Sequence, residues 1–256
     1  MQYTFTTPGG SVPGLYRDAL TQPHMLIAGA TGSGKSVVIN GMVFCALHRL
    51  PFDRPDGVQF ILIDPKRVEL AAYKDLPHTI RYASEPETIV SALNQAMQIC
   101  EDRYRRMQRE RIRKYNGADL YVIIDEFADL MTTNRRVIQP IIQRLAQIGR
   151  AARVHIVLAT QTPISKVLPT EIKCNFDARI GLRTRSAQDS RNIIGSAGLE
   201  DLPRYGQGYY MRPEGEAYYT MPMIPDADLS WIVSFWLDQY RRQQPKRRGL
   251  FCRRSA

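Results

Sequence analysis

Residues 25–36 read MLIAGATGSGKS. The apolar run MLIA leads into GATGSGKS, residues 29–36, which satisfies the pattern G-x-x-x-x-G-K-[ST]. The run before it reads as a buried strand and residues 37–48 after it read as a helix. Strand, glycine-rich turn and helix in that order build a phosphate cradle. Gly29, Gly32 and Gly34 let the backbone curl until its N–H groups face an anion. The positive end of the following helix adds to their pull. Lys35 places a point charge on the β- and γ-phosphates of a nucleotide, and Ser36 offers a hydroxyl to a bound magnesium ion. Ala30, Thr31, Ser33 and Val37 complete the nucleotide-binding stretch.

Three further apolar runs, residues 60–63, 121–124 and 156–159, read as strands, with a weaker fifth at 178–182. They are continuous rather than alternating, as strands of a parallel sheet covered on both faces should be. Helical patterns lie between them, which predicts an α/β fold. The clearest helix covers residues 85–114, where Val90, Leu93, Met97, Cys100, Tyr104 and Met107 form one stripe. Ser84 and Glu87 are spaced as a capping box, with Pro86 in the first turn. Arg103, Arg105, Arg106, Arg109, Arg111 and Arg113 read as its solvated face. A second helix spans residues 134–148, with Pro140 predicting a kink or a later start. Residues 203–224 read as turns with short strands, and 226–240 as a final helix.

The run 121–131 reads YVIIDEFADLM. A strand ending in Asp125 and Glu126, in a chain that also carries a phosphate loop, has the Walker B arrangement. Asp125 holds magnesium, with Ser36, and Glu126 orients or deprotonates the attacking water. This second carboxylate favours ATP hydrolysis, and no N-K-x-D guanine signature occurs. The strand 156–159 is followed by Thr160 and Gln161, and Gln161 is placed to contact the γ-phosphate.

Composition sets the outer bounds. The chain has 256 residues, enough for one large domain, and carries a net charge of +10. Seven of the basic residues lie in 241–256, leaving 28 basic against 25 acidic residues elsewhere. That tail reads either as a solvated, disordered end or as a non-specific binder of phosphates or acidic lipid. No run approaches the roughly 18 apolar residues of a spanning helix, and the polar N-terminus is no signal peptide. A cytoplasmic protein without an integral membrane segment is expected. Cys45, Cys100, Cys174 and Cys252 are scattered, which argues for reduced thiols over a zinc site.

GATGSGKS, FILIDPKRVEL (60–70), YVIIDEFADLM, RLAQIGRAARVH (144–155), HIVLATQ (155–161) and RTRSAQDSRNIIG (183–195) occur in the order seen in FtsK/SpoIIIE motor domains. The chain resembles that family over residues 23–225. The resemblance implies a RecA-like P-loop NTPase core, with a mainly parallel sheet flanked by helices, acting as an ATP-driven translocase on double-stranded DNA. It implies a hexameric ring with ATP and Mg2+ between subunits. Arg150 aligns with the family's arginine finger; Arg144 and Arg153 lie close by and compete for that assignment. Lys66 and Glu69 match family positions without a derivable role. Arg191 suits either an interface or the fold, and Asp64 caps the turn at Pro65. The same core serves conjugative DNA transfer and protein secretion, which stands as the alternative. The expected organisation is a compact, stand-alone member: an N-terminal extension (1–22), a motor domain (23–240) and a basic, disordered tail (241–256). A loading or targeting protein is a further expected partner.

Overall fold

Every apolar run becomes a strand, and three more join them. The computed structural model describes residues 14–48 and 57–243. Residues 244–256 of the expected tail lie outside these, as do residues 1–13. The chain opens with α1 (Gly14–Ala19), β1 (His24–Ala28) and α2 (Lys35–Leu47). Next come β2 (Val58–Ile63), β3 (Thr79–Ala83), α3 (Pro86–Glu110) and β4 (Asp119–Ile124). Then follow α4 (Phe127–Thr133), α5 (Arg135–Ala152), β5 (Val154–Thr160), α6 (Thr170–Lys173) and β6 (Ala178–Leu182). The chain continues through α7 (Ala187–Ile194), β7 (Gln207–Arg212), β8 (Gly215–Thr220) and α8 (Asp226–Gln243).

The strands form one eight-stranded sheet in the order β3-β2-β4-β5-β1-β6-β7-β8. The first six are parallel, and the β7–β8 hairpin is added antiparallel on β6. Because side chains alternate along a strand, each central strand feeds two cores. Met25, Ile27, Phe60, Leu62, Tyr121, Ile123, Val157 and Ala159 pack toward α1, α2 and α8. Leu26, Ile61, Ile63, Val122, Ile124, Ile156 and Leu158 pack toward α3, α4 and α5. Burial on both faces explains why these runs lack polar alternation. Among the described residues no helix is long and apolar enough to cross a membrane.

Some expectations need correction. The α3 capping box uses Glu85 and Thr88, one residue on from Ser84 and Glu87. That helix stops at Glu110, because Arg111 turns left-handed (φ 55) and closes its end. Pro140 sits inside α5, which begins at Arg135 and runs on to Ala152. As the sixth residue it lies past the first turn, so one intrahelical bond is lost there, and tertiary packing of the Ile138, Ile142 and Leu145 face holds the helix. Arg103 is not on a solvated face. It is 6% exposed and donates to the carbonyls of Ala152 and Arg153, at 2.9 and 2.8 Å.

Candidate active site

The phosphate loop joins β1 to α2 at the C-terminal edge of the parallel strands. Gly32 (φ 73) and Gly34 (φ 102) take the left-handed conformations that only glycine adopts freely. Gly29 is needed for space: a Cβ there would lie 2.6 Å from Ser33 Oγ and 2.7 Å from Leu182 Cβ. The loop is anchored by Gly29 N–H to Thr160 O (3.3 Å) and Ala30 N–H to Arg183 O (2.8 Å). No side chain caps the start of α2, so its first N–H groups and the helix dipole are presented to an anion. Lys35 opens that helix and is buried. Burial lowers its pKa, and the nearby charges of Glu126 and Asp125 oppose the shift.

The acidic pair stands at the end of β4, two strands from β1 in the same sheet. Asp125 and Glu126 are both buried. Burial, then the charges of Glu69 and Asp64, push the Asp125 carboxyl up to about 6, against the pull of Lys35. Glu126 is held on both oxygens. Its Oε1 accepts from the Thr160 hydroxyl (3.0 Å) and the Gln161 N–H (3.1 Å), while Lys66 Nζ donates to Oε2 at 3.2 Å. Gln161 in turn accepts at Oε1 from the Thr31 hydroxyl of the phosphate loop, at 2.7 Å. Lys35, Asp125, Glu126, Gln161 and Thr31 thus belong to one constellation.

The residues fit a magnesium ion. Asp64, Glu69, Asp125 and Glu126 crowd their charges here, and a divalent cation would relieve that crowding. The donors are oxygens, as magnesium prefers: Ser36 in the first turn of α2 and Asp125. Among the described residues no group of three acidic, His or Cys ligands forms a closed cage. Ser36 and Asp125 would hold the ion together with the nucleotide's own phosphates. Magnesium would supply charge to the β- and γ-oxygens there.

Arg150 lies elsewhere. The helix α5 returns the chain to the N-terminal edge of the sheet, so Arg150, exposed near its end, faces away from the phosphate loop. It lines a groove of about 900 Å3 with Arg17, His24, Asp177 and Glu214. Of the two neighbouring arginines, one is tied down and the other exposed. Arg153 is left-handed (φ 54) and its guanidinium grips both oxygens of Asp119, one of them at 2.9 Å. His155 Nε2 meets the same carboxylate at 3.1 Å. Arg144 is exposed farther back on α5. The groove and the phosphate loop therefore sit at opposite ends of the same strands.

A sequence model of the FtsK/SpoIIIE family matches residues 9–121 and 118–165. The chain belongs to the FtsK/SpoIIIE family. It is 34% identical over 265 residues to the DNA translocase FtsK of Caulobacter vibrioides, covering 87% of this chain and 32% of that protein. The DNA translocase FtsK of Rickettsia typhi is 38% identical over 265 residues, covering 86% and 35%. The chain spans about a third of the length of these relatives. Among solved structures, the pCW3 conjugation coupling protein TcpA, in its monomer form with ATPγS, has a TM-score of 0.74 at 22% identity. That match covers 85% of this chain and 65% of TcpA. The cytoplasmic domain of the type VII secretion ATPase EccC of Thermomonospora curvata has a TM-score of 0.70 at 23% identity, over 84% and 28%. At such identities the likeness is one of fold, that of a P-loop ATPase core.

Within this FtsK/SpoIIIE chain, three site residues lacked a reading in sequence. Lys66 pairs with Glu126, and Thr160 adds a hydroxyl to the same carboxylate. Arg204 brings its guanidinium to the loop, 3.7 Å from where a Cβ on Gly32 would stand. Asp64 does close its turn, accepting from the Leu70 N–H at 3.0 Å. Lys66 had a visible signal, its place just past a strand end beside the Walker B strand. Arg204 had none, because a long connection carries it there.

Proposed function

We propose that the protein is an ATP-dependent translocase of double-stranded DNA that hydrolyses ATP between subunits of a hexameric ring. The carrying observation is the split of the catalytic set between the two edges of the sheet. Lys35, Asp125, Glu126 and Gln161 gather at one edge, and Arg150 stands exposed at the other. One chain cannot bring them together, whereas a head-to-tail neighbour can. Such heterologous contacts close into rings.

Residues 29–37 cradle the triphosphate, with Lys35 on its β- and γ-phosphates. Ser36 and Asp125 hold magnesium. Glu126 positions the attacking water and takes its proton, and Gln161 reads the γ-phosphate. Arg150 reaches the neighbour's γ-phosphoryl group and stabilises its developing charge. The motor domain is 23–240, with 1–22 as an N-terminal extension and 241–256 as a basic tail. The described part of the extension docks through Tyr16, whose hydroxyl donates to Pro222 O at 2.6 Å. Duplex DNA as the substrate is supported by the identity to DNA translocases across most of this chain.

The test is steady-state ATP hydrolysis with linear duplex DNA, with single-stranded DNA and with neither, using Glu126→Gln as the inactive control. Stimulation that grows with duplex length to a plateau is expected. Turnover indifferent to DNA would sink the translocase reading and favour a motor triggered by a protein partner, as in secretion.

A further inference from the structure

We propose that Lys66 is a second catalytic lysine, whose ammonium exchanges Glu126 Oε2 for the γ-phosphoryl oxygens of bound ATP and stabilises charge there beside Lys35. The proposal rests on the reading of Glu126 as the base that activates water.

The argument starts from the occupancy of that carboxylate. Oε1 already accepts two hydrogen bonds, from Thr160 and Gln161. A water that gives its proton to Glu126 must therefore approach Oε2, the oxygen on which Lys66 sits at 3.2 Å. Oε2 has a second lone pair, so the water takes its place beside the ammonium, and the proton it delivers cancels the charge that holds Lys66 there. Lys66 is the partner able to yield, since its side chain is 43% exposed while that of Glu126 is 3% exposed.

Its backbone is tied down, while its exposed side chain has room to swing. Asp64 O accepts from the Arg67 N–H at 3.1 Å, and Asp64 Oδ2 from the Leu70 N–H. Arg67 is left-handed (φ 59) and ion-paired with Glu85. The turn therefore delivers Lys66 to one place, from which a swing of the side chain decides its contact.

The destination follows from charge. An attacking water lies within hydrogen-bond reach of Glu126 and next to the γ-phosphorus, so the γ-oxygens lie about 3 Å beyond it. Lys35 and Lys66 already feel each other's charge, and both face Glu126 and Asp125. A triphosphate on Lys35 brings the densest negative charge within reach of Lys66. Burial works against the Lys66 cation, but the Glu126 carboxylate and its hydrogen bond lift its pKa, so it remains an ammonium. In the step itself the water oxygen bonds to the γ-phosphorus. The bond from that phosphorus to the bridging oxygen breaks, its electron pair leaves with ADP, and the water proton passes to Glu126. Lys66 stays protonated throughout and balances charge on the γ-oxygens.

The test uses the full chain carrying Glu126→Gln, which removes the charge partner of Lys66. Affinities for ADP and for ATPγS, each with magnesium, are measured by calorimetry with and without Lys66→Met. The expected result is a loss of about tenfold or more for ATPγS, with ADP changed by less than about twofold. Unchanged ATPγS affinity, or an equal loss for both nucleotides, overturns the proposal. A lysine that serves only to hold Glu126 has no carboxylate left to hold in that background. With Glu126 intact, Lys66→Met should lower turnover; a rise would mean that Lys66 merely masks the base, and would also overturn it. Wild-type turnover by Glu126→Gln alone would instead remove the base reading itself, an outcome separate from either.

Discussion

The Thr31 hydroxyl donates to Gln161 Oε1 at 2.7 Å, so one side-chain bond ties the phosphate loop to the segment after β5. The same glutamine donates its backbone N–H to Glu126. A change at the loop therefore reaches Glu126 through a single residue.

Gln161→Ala keeps that backbone N–H and removes only the side chain. ATPγS affinity should stay within about threefold, while turnover drops roughly ten- to a hundredfold, the scale of losing one positioned polar group. Binding and steady-state rates measured side by side would check this. Unchanged turnover would leave Gln161 as a loop anchor only.

Asp125 carries a pH signature. Its carboxyl, pushed up to about 6 by burial and neighbouring acids, keeps its proton in the folded state after the unfolded chain has lost it. Stability should therefore fall as pH rises from about 4 to about 6, and the cost persists above that. Asp125→Asn removes the charge and should stabilise the nucleotide-free protein at pH 7.5 by on the order of 2 kcal/mol, with little gain at pH 4. Urea melts at both values test it, and an equal effect at the two would contradict it. Magnesium-dependent turnover should also decline below about pH 6.

The arginines of α5 and its end should part company in stability. Arg153 is 22% exposed and Asp119 8%, so Arg153→Ala takes the guanidinium from a largely buried carboxylate, leaving His155 beside it, and should cost about 2–3 kcal/mol. Arg150→Ala should shift stability by less than about 0.5 kcal/mol, as expected of an exposed side chain. Chemical unfolding of both variants decides the matter; a large loss for Arg150→Ala would make it a structural residue.

Gly29→Ala should damage the loop from inside. The added methyl meets Leu182 Cβ at 2.7 Å, an atom fixed by its own strand. A cost of about 1–3 kcal/mol is expected, along with weaker ATPγS binding. A fully stable variant with normal affinity would show that the loop can shift to admit it.

How much of this was legible depended on whether the signal was local. The strand–loop–helix around Lys35 and the acids at the end of β4 were readable, because backbone curvature and strand burial are written in neighbouring residues. Arg103 was not. In sequence it shares a face with five other arginines, and only the arrival of α5 supplies the carbonyls that draw it inward. The β3 strand was missed because, at a sheet edge, Ile80, Arg81 and Tyr82 are only half-buried and show no apolar run. The β7–β8 hairpin was foreseen as short strands, but its place on β6 depends on contacts no local pattern encodes. Telling Arg153 from Arg150 required knowing where Asp119 stands.

The placing of Arg150 and the phosphate loop at opposite ends of the same strands has a genetic corollary. On the ring reading, a chain with Lys35→Ala still lends its arginine, and a chain with Arg150→Ala still binds ATP. Each variant alone yields no sound interface, yet the two co-expressed would restore activity at every contact where the second variant's phosphate loop meets the first variant's arginine. Two defective alleles would then complement each other, as alleles of a protein working as isolated monomers could not.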